Sequence, residues 1–232
     1  MQGLYLVTPN WDDTARLLDA SEQALDAGVG HGVGGVSGGG NLVALLQYRH
    51  KEAASALRLE QATALLALCR RYGVPFIVND HVELCLETGA DGVHLGGTDA
   101  DVAQVRGRLG ADKIVGASCY GDMSRALAAQ RAGASYVAFG GFYPSRVKQY
   151  AVTTRPEILD QARAAIGIPT VVIGGMTPEN AAPLVARGAG MVAAISSVYQ
   201  AESVAGAVGR FASMFVIHNT SKSFQQKGLS AL

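Results

Sequence analysis

At three places the chain runs from a helix-like segment through glycine straight into an apolar strand. These are Gly89-Ala90-Asp91-Gly92-Val93, Gly133-Ala134-Ser135-Tyr136-Val137 and Gly188-Ala189-Gly190-Met191-Val192. A helix that stops at glycine and feeds a strand apolar on both faces needs other helices to cover that strand, which is the condition of a parallel α/β sheet. The same alternation extends through the chain. Strands are expected over 3–8, 43–49, 75–80, 92–96, 113–119, 136–142, 169–175 and 191–197. Between and after them, helical spacing of apolar residues predicts helices over 14–28, 55–72, 81–87, 101–109, 124–132, 156–166, 177–187 and 202–214. Eight such units over residues 1–217 fit one closed (β/α)8 TIM barrel better than the competing open, doubly wound sheet. In such a barrel the chemistry belongs at the C-terminal ends of the strands.

Two segments interrupt the pattern. The glycine-rich stretch 30–43 lies between the first helix and the second strand, and Gly30-His31-Gly32-Val33-Gly34-Gly35 matches a dinucleotide fingerprint letter for letter. A helix precedes it and a strand follows, the reverse of the strand–turn–helix context that a nucleotide site needs, so it reads as a flexible insertion at the bottom of the barrel. Residues 218–232 are polar and aperiodic and read as a frayed tail. Lys plus Arg and Asp plus Glu both number 19, so no net field favours nucleic acid or a membrane surface. With no membrane-length apolar run and no charged leader, the expected location is cytoplasmic. Cys69, Cys85 and Cys119 are odd in number, lack metal-like spacing and sit in apolar runs, so they are expected to be reduced, buried and inert.

The strand ends carry the polar chemistry. In Ala44-Leu45-Leu46-Gln47-Tyr48-Arg49-His50-Lys51, alternation puts Gln47, Arg49 and Lys51 on one face, with Tyr48 and His50 on the other. An amide and two cations at the end of a buried strand suit a phosphate or pyrophosphate. An edge strand with a solvated charged end is the plainer alternative. The third strand ends in Asn79-Asp80, Asp99 follows the fourth, and Ser118 ends the fifth. Ser145-Arg146-Val147-Lys148 follows the sixth, Gly174-Gly175 ends the seventh, and Ile195-Ser196-Ser197 ends the eighth. Two carboxylates suit Mg²⁺, which takes few protein oxygens and completes its shell with substrate phosphate and water. Plain alternatives stand beside each of these. Asp80 with Glu83 has capping-box spacing, and Thr98 or Asp99 would equally cap the next helix. Gly174-Gly175 serves either a tight turn or a phosphate cradle, and Thr177-Pro178 suits a helix N-cap and first position. His94 and His50 are given no chemical role, and Ser118 and Ser196 read as hydrogen-bond donors rather than nucleophiles.

The segments GLYLVTP, LLQYRHK, YGVPFIVND, GADGVHLGGTD, GASYVAFGGFYPS, PTVVIGGMTPENA and VAAISSV, in that order, resemble thiamine-phosphate synthase, from Gly3 to about Val198. The resemblance implies a barrel that joins a hydroxymethylpyrimidine diphosphate to a thiazole phosphate, releasing pyrophosphate and forming thiamine phosphate. It implies that the segment Gln47, Tyr48, Arg49, His50, Lys51, with Asn79, Ser118 and Lys148, contacts the pyrimidine diphosphate. Asp80 and Asp99 become the Mg²⁺ ligands, and Ser145, Arg146, Val147, Gly175, Ile195 and Ser196 the thiazole phosphate site. Arg49, Lys51 and Lys148 would carry the catalytic role of stabilising the departing pyrophosphate. Partners are then small molecules, with self-association into a homo-oligomer compatible with the reading. The family usually has Thr-x-Thr-Lys after the sixth strand, so Val147 lacks one donor to the thiazole phosphate. Two alternatives remain: a related barrel that isomerises a thiazole phosphate or regulates, and a non-catalytic binder of thiamine precursors. The first needs a phosphate cradle but not the full set of Gln47, Arg49, Lys51, Asp80 and Asp99, whose presence argues against it; the second would be a barrel disabled by the insertion and by Val147.

Overall fold

The computed structural model describes residues 1–29, 41–96, 101–144 and 154–215. Eight parallel strands close in chain order: β1 (Gly3–Val7), β2 (Val43–Tyr48), β3 (Phe76–Asn79), β4 (Gly92–Leu95), β5 (Ile114–Tyr120), β6 (Tyr136–Gly140), β7 (Thr170–Ile173) and β8 (Met191–Ala194). The ring is sealed where β1 pairs with β2 on one side and β8 on the other. Helices α1 (Thr14–Gly28), α2 (Ser55–Tyr72), α3 (Val82–Thr88), α4 (Val102–Leu109), α5 (Met123–Arg131), α6 (Ile158–Ala165) and α7 (Pro178–Ala186) follow the first seven strands in turn. After β8 come a single turn, α8 (Ser196–Tyr199), and a helix over 204–215, α9. The expected (β/α)8 barrel is thus the observed one.

Each strand obeys the two-residue alternation that a barrel imposes. Tyr5, Val7, Leu45, Ile77, Tyr136 and Val171 point into the lumen and pack on one another. Their neighbours Leu4, Leu6, Leu46, Phe76 and Val192 point outward against Leu17 of α1, Leu65 of α2 and Phe211 of α9. Both layers are buried, and each fully buried aliphatic side chain contributes roughly 1.5–3 kcal/mol. Helix starts are set by side-chain oxygens that accept the otherwise unpaired first-turn N–H groups. Asp13 caps α1, Asp101 caps α4 and Asp122 caps α5. Thr177 forms the expected cap of α7, with Asn180 closing the box and Pro178 opening the helix. The cap of α4 is therefore Asp101, not Thr98 or Asp99.

The strands stop sooner than the apolar runs suggest, and the reason is local. Gly174 and Gly175 take φ of 108° and 59°, which turns β7 aside after Ile173. β8 then has no neighbour beyond Ala194: its last partners are Ile173 on β7 and Leu6 on β1. Ser196 and Ser197, expected at the end of the eighth strand, instead open α8. Residues 30–40 of the glycine stretch lie outside the described residues, as does the tail beyond 215. The remaining end of that stretch belongs to the barrel. Leu42 N–H donates to Gly28 O at 2.8 Å, Leu42 O accepts from Leu4 N–H, and Val43 is buried in β2. Cys69, Cys85 and Cys119 are buried and free of disulfides. Burial pushes their thiols up to about 12, 11 and 12, so none is a nucleophile at neutral pH.

Candidate active site

The C-terminal ends of the strands surround a pocket that opens at the mouth of the barrel. Its walls include Gln47, Arg49 and Lys51 from the end of β2, Asn79 and Asp80 from β3, and Ser118 from β5. Opposite them stand Gly174, Gly175, Ile195 and Ser196. β2 presents its cations because Thr8 clamps it: Thr8 N–H donates to Gln47 O at 2.9 Å, and Thr8 Oγ1 accepts from Arg49 N–H at 2.8 Å. Arg49 is only 8% exposed. A guanidinium held that deep interacts with an anion more strongly than a solvated one would.

Asp80 is no helix cap. The N-cap residue of α3 is His81, which makes no side-chain capping bond. Asp80 takes φ of 60°, a left-handed conformation that Asp tolerates better than most residues, and this turns its carboxylate across the mouth. Oδ1 accepts from Gly96 N–H at 2.9 Å, and Oδ2 accepts from Asn79 Nδ2 at 2.6 Å. Lys51 Nζ stands 3.7 Å from Oδ2. On the far wall, Gly175 at φ 59° admits no Cβ, which would come 2.3 Å from Pro144 O. The pair of glycines thus gives a bare backbone wall packed against residues 141–144.

Tyr48 and His50 do not join this group. Their side chains stand on the other face of β2, as alternation requires. Tyr48 donates to Gln61 Oε1 of α2 at 3.0 Å, and burial pushes its phenol up to about 12. His50 Nδ1 accepts from Ala53 N–H at 3.1 Å, so Nε2 carries the proton that reaches Asp12 at 2.9 Å. Both hold neighbouring elements, and both line a second, adjoining pocket with Lys51, Asn79, Asp80 and His81. Asp99, Ser145, Arg146, Val147 and Lys148 lie outside the described residues. Three polar residues at or beneath the pocket had been given no role: Tyr5, Tyr136 and His94. Tyr5 and His94 line the pocket, and Tyr136 lies beneath, bonded to both. A strand-parity count from Gln47 through the lumen-facing positions would have placed all three inside.

Comparison with known proteins places this geometry. The family model described as thiamine monophosphate synthase matches residues 4–198. The thiamine-phosphate synthase of Janthinobacterium sp. (strain Marseille) is 58% identical over 215 residues, covering 93% of this chain and 97% of that protein. That of Xylella fastidiosa (strain 9a5c) is 44% identical over 216 residues, covering 93% and 86%. Among solved structures, a thiamine phosphate pyrophosphorylase from Pyrococcus furiosus superposes with a TM-score of 0.77 at 28% identity, covering 94% of this chain and 96% of that one. A 3-hexulose-6-phosphate synthase, at 16% identity and a TM-score of 0.64, shares the fold alone. With the barrel and the matched span in agreement, the chain belongs to the thiamine monophosphate synthase family.

Proposed function

We propose that this pocket performs the family's reaction by holding a pyrimidine diphosphate on the β2–β3 side and a thiazole phosphate against the β7–β8 side. The chain is an enzyme, a transferase that forms thiamine phosphate with release of pyrophosphate. The observation that carries the assignment of sides is the convergence of Gln47, Arg49 and Lys51 with Asp80 in one pocket, facing the Gly174-Gly175 wall and Ser196. The bond that breaks joins the exocyclic CH₂ of 4-amino-2-methyl-5-hydroxymethylpyrimidine diphosphate to its bridging oxygen. The bonding pair leaves with pyrophosphate, and the aminopyrimidine ring shares the positive charge left on carbon. The lone pair of the thiazole nitrogen forms the new C–N bond, giving the thiazolium of the product.

No side-chain nucleophile or base is required. Arg49 and Lys51, joined by Lys148, balance the charge that builds on the leaving group. Each such charged hydrogen bond is worth about 1.5–3 kcal/mol. Gly175, Ile195 and Ser196, with Ser145, Arg146 and Val147, fix the thiazole phosphate so that its nitrogen is already aimed. The donor set fits Mg²⁺. Asp80 offers hard oxygens into the pocket, and among the described residues no group of three or more His, Cys, Asp or Glu forms a closed metal cage. Asp80 and Asp99 would hold the ion, and when bound it supplies further neutralisation of the diphosphate. Among the described residues no helix is long and apolar enough to cross a membrane. With three free thiols, a cytoplasmic enzyme whose partners are small molecules is the reading we adopt. The test is pyrophosphate release by purified protein. Release only with both substrates and Mg²⁺ is expected; turnover of a thiazole phosphate alone, or binding without turnover, would overturn the assignment.

A further inference from the structure

Below the pocket, five side chains from five strands are joined end to end across the lumen. Gln47 Nε2 of β2 donates to the Tyr5 hydroxyl of β1 at 2.6 Å. The Tyr5 and Tyr136 hydroxyls of β1 and β6 are 2.6 Å apart. The Tyr136 hydroxyl lies 2.9 Å from His94 Nδ1 of β4, and His94 Nε2 lies 2.9 Å from Ser118 Oγ of β5. Both phenols are at most 1% exposed. The sequence makes room for the central one. A Cβ on Gly116 would fall 2.0 Å from Tyr136 Cζ and 2.2 Å from its hydroxyl, so only glycine lets that phenol enter the lumen.

We propose that this is a hydrogen-bond chain of fixed polarity, running Gln47 to Tyr5 to Tyr136 to His94 to Ser118, in which Tyr136 and His94 are positioning residues that aim the Ser118 proton into the pocket. The polarity follows from counting protons. A phenol has one to give. Tyr5 oxygen accepts the Gln47 amide proton, so its own goes to Tyr136 oxygen, and the Tyr136 proton goes to His94 Nδ1. An imidazole that accepts at Nδ1 is neutral and carries its proton on Nε2, which donates to Ser118 Oγ. Ser118 has thereby spent an acceptor site and keeps its own proton for whatever occupies the pocket. Burial holds both phenols well above their ordinary range, so neither ionises at any working pH. Successive bonds polarise one another, making the last hydroxyl a better donor than an isolated serine. Resting on the pyrimidine-diphosphate reading of the pocket, that donor is one more pre-aimed group for the departing oxygens.

The decisive measurement is the His94 tautomer, read by ¹⁵N–¹H correlation NMR on the full chain, with His94→Asn assigning the signal. The proton is expected on Nε2. It should remain there in Tyr5→Phe, since Tyr136 still donates, and be lost to a tautomer mixture in Tyr136→Phe. A proton on Nδ1 in the wild type would mean the chain runs the other way, and overturn the proposal. Kinetics supply the second arm. Tyr136→Phe should lower kcat roughly tenfold, the worth of one hydrogen bond, and should be nearly silent in a Ser118→Ala background. An undiminished effect in that background would reduce Tyr136 to packing and also overturn the proposal. The NMR arm needs no turnover, so an inactive wild type would count against the assigned reaction while the tautomer still decides the polarity.

Discussion

Replacing Asp80 separates its two roles, because its carboxylate both closes a turn and faces the substrate pocket. Asp80→Ala removes two charge-assisted hydrogen bonds, from Gly96 N–H and Asn79 Nδ2, and leaves alanine at φ 60°. The side chain is 19% exposed, so solvent screening brings these bonds down to the upper part of the ordinary hydrogen-bond range, about 1–1.5 kcal/mol each. Alanine in the left-handed region adds about 1–2 kcal/mol. The total is about 3–5 kcal/mol, or a fall in Tm of roughly 6–20 °C for a chain of this size. Asp80→Asn tolerates the same φ and keeps Oδ1 for Gly96, so it should lose only about 1 kcal/mol, or roughly 2–4 °C. Both variants lose the negative charge that would hold Mg²⁺. In a coupled pyrophosphate assay, both should therefore drop at least about 100-fold in turnover, equivalent to about 2.7 kcal/mol, with a raised Mg²⁺ requirement. The signature is activity lost equally while stability is lost unequally. An Asp80→Asn enzyme with native turnover and Mg²⁺ dependence would refute the reasoning and reduce Asp80 to a structural tie between β3 and β4.

Tyr48→Phe should leave kcat within about twofold yet destabilise by about 1–2 kcal/mol, because it strands the fully buried Gln61 Oε1; a large kcat loss with unchanged Tm would place the phenol at the substrate after all. His81 should titrate below its ordinary value, lowered by burial first and by the Arg58 guanidinium 2.7 Å away second, and Arg58→Gln should raise it in an NMR pH titration. Since the unfolded chain binds that proton first, this residue should subtract a little stability as pH falls below the ordinary imidazole value, and nothing above it; a rise in stability on acidification through that window, lost on His81→Asn, would contradict the sign. Replacing residues 30–40 by a short glycine linker should preserve catalysis and raise stability by about 1 kcal/mol, since the 2.8 Å bond between Leu42 N and Gly28 O brings the two flanks together. Activity lost from a folded variant, and restored only by the original residues, would give that stretch a function.

What could be read from the sequence was whatever a single strand or helix encodes by itself. The limits of α1 and α2 coincide with their apolar spacing, although only one end of each carries a local signal: Asp13 caps the start of α1 and left-handed Gly73 stops α2, while Ala54 makes no side-chain capping bond and α1 ends through an extended Val29. The mouth-facing set Gln47, Arg49 and Lys51 follows from alternation alone. So does the placing of Tyr48 and His50 on the opposite face, whereas their inclusion among the substrate contacts came from the family's contiguous segment and not from alternation. Asp80 was ambiguous for a different reason. Asp before a helix, with Glu three residues later, carries the same letters whether the carboxylate folds back on its own helix or reaches over to the next strand. Only the 60° φ and the position of Gly96 N–H separate the two.

The interior chain depends on geometry that no local pattern holds. Tyr5, Tyr136 and His94 sit on β1, β6 and β4, and none of these strands neighbours another in the ring. Their contacts exist because long aromatic side chains meet across a lumen whose width is set by the closure of all eight strands. A lone histidine in an apolar strand is ordinarily a packed residue, and two tyrosines far apart in sequence carry no spacing to notice. One trace of the arrangement is nonetheless present in the sequence: Gly116, a glycine inside an otherwise apolar strand. Glycine weakens a strand unless something must come close, and the register opposite it is Tyr136. The glycine shows that space is needed there, while only the closed barrel shows that what fills it is a phenol bonded on both sides.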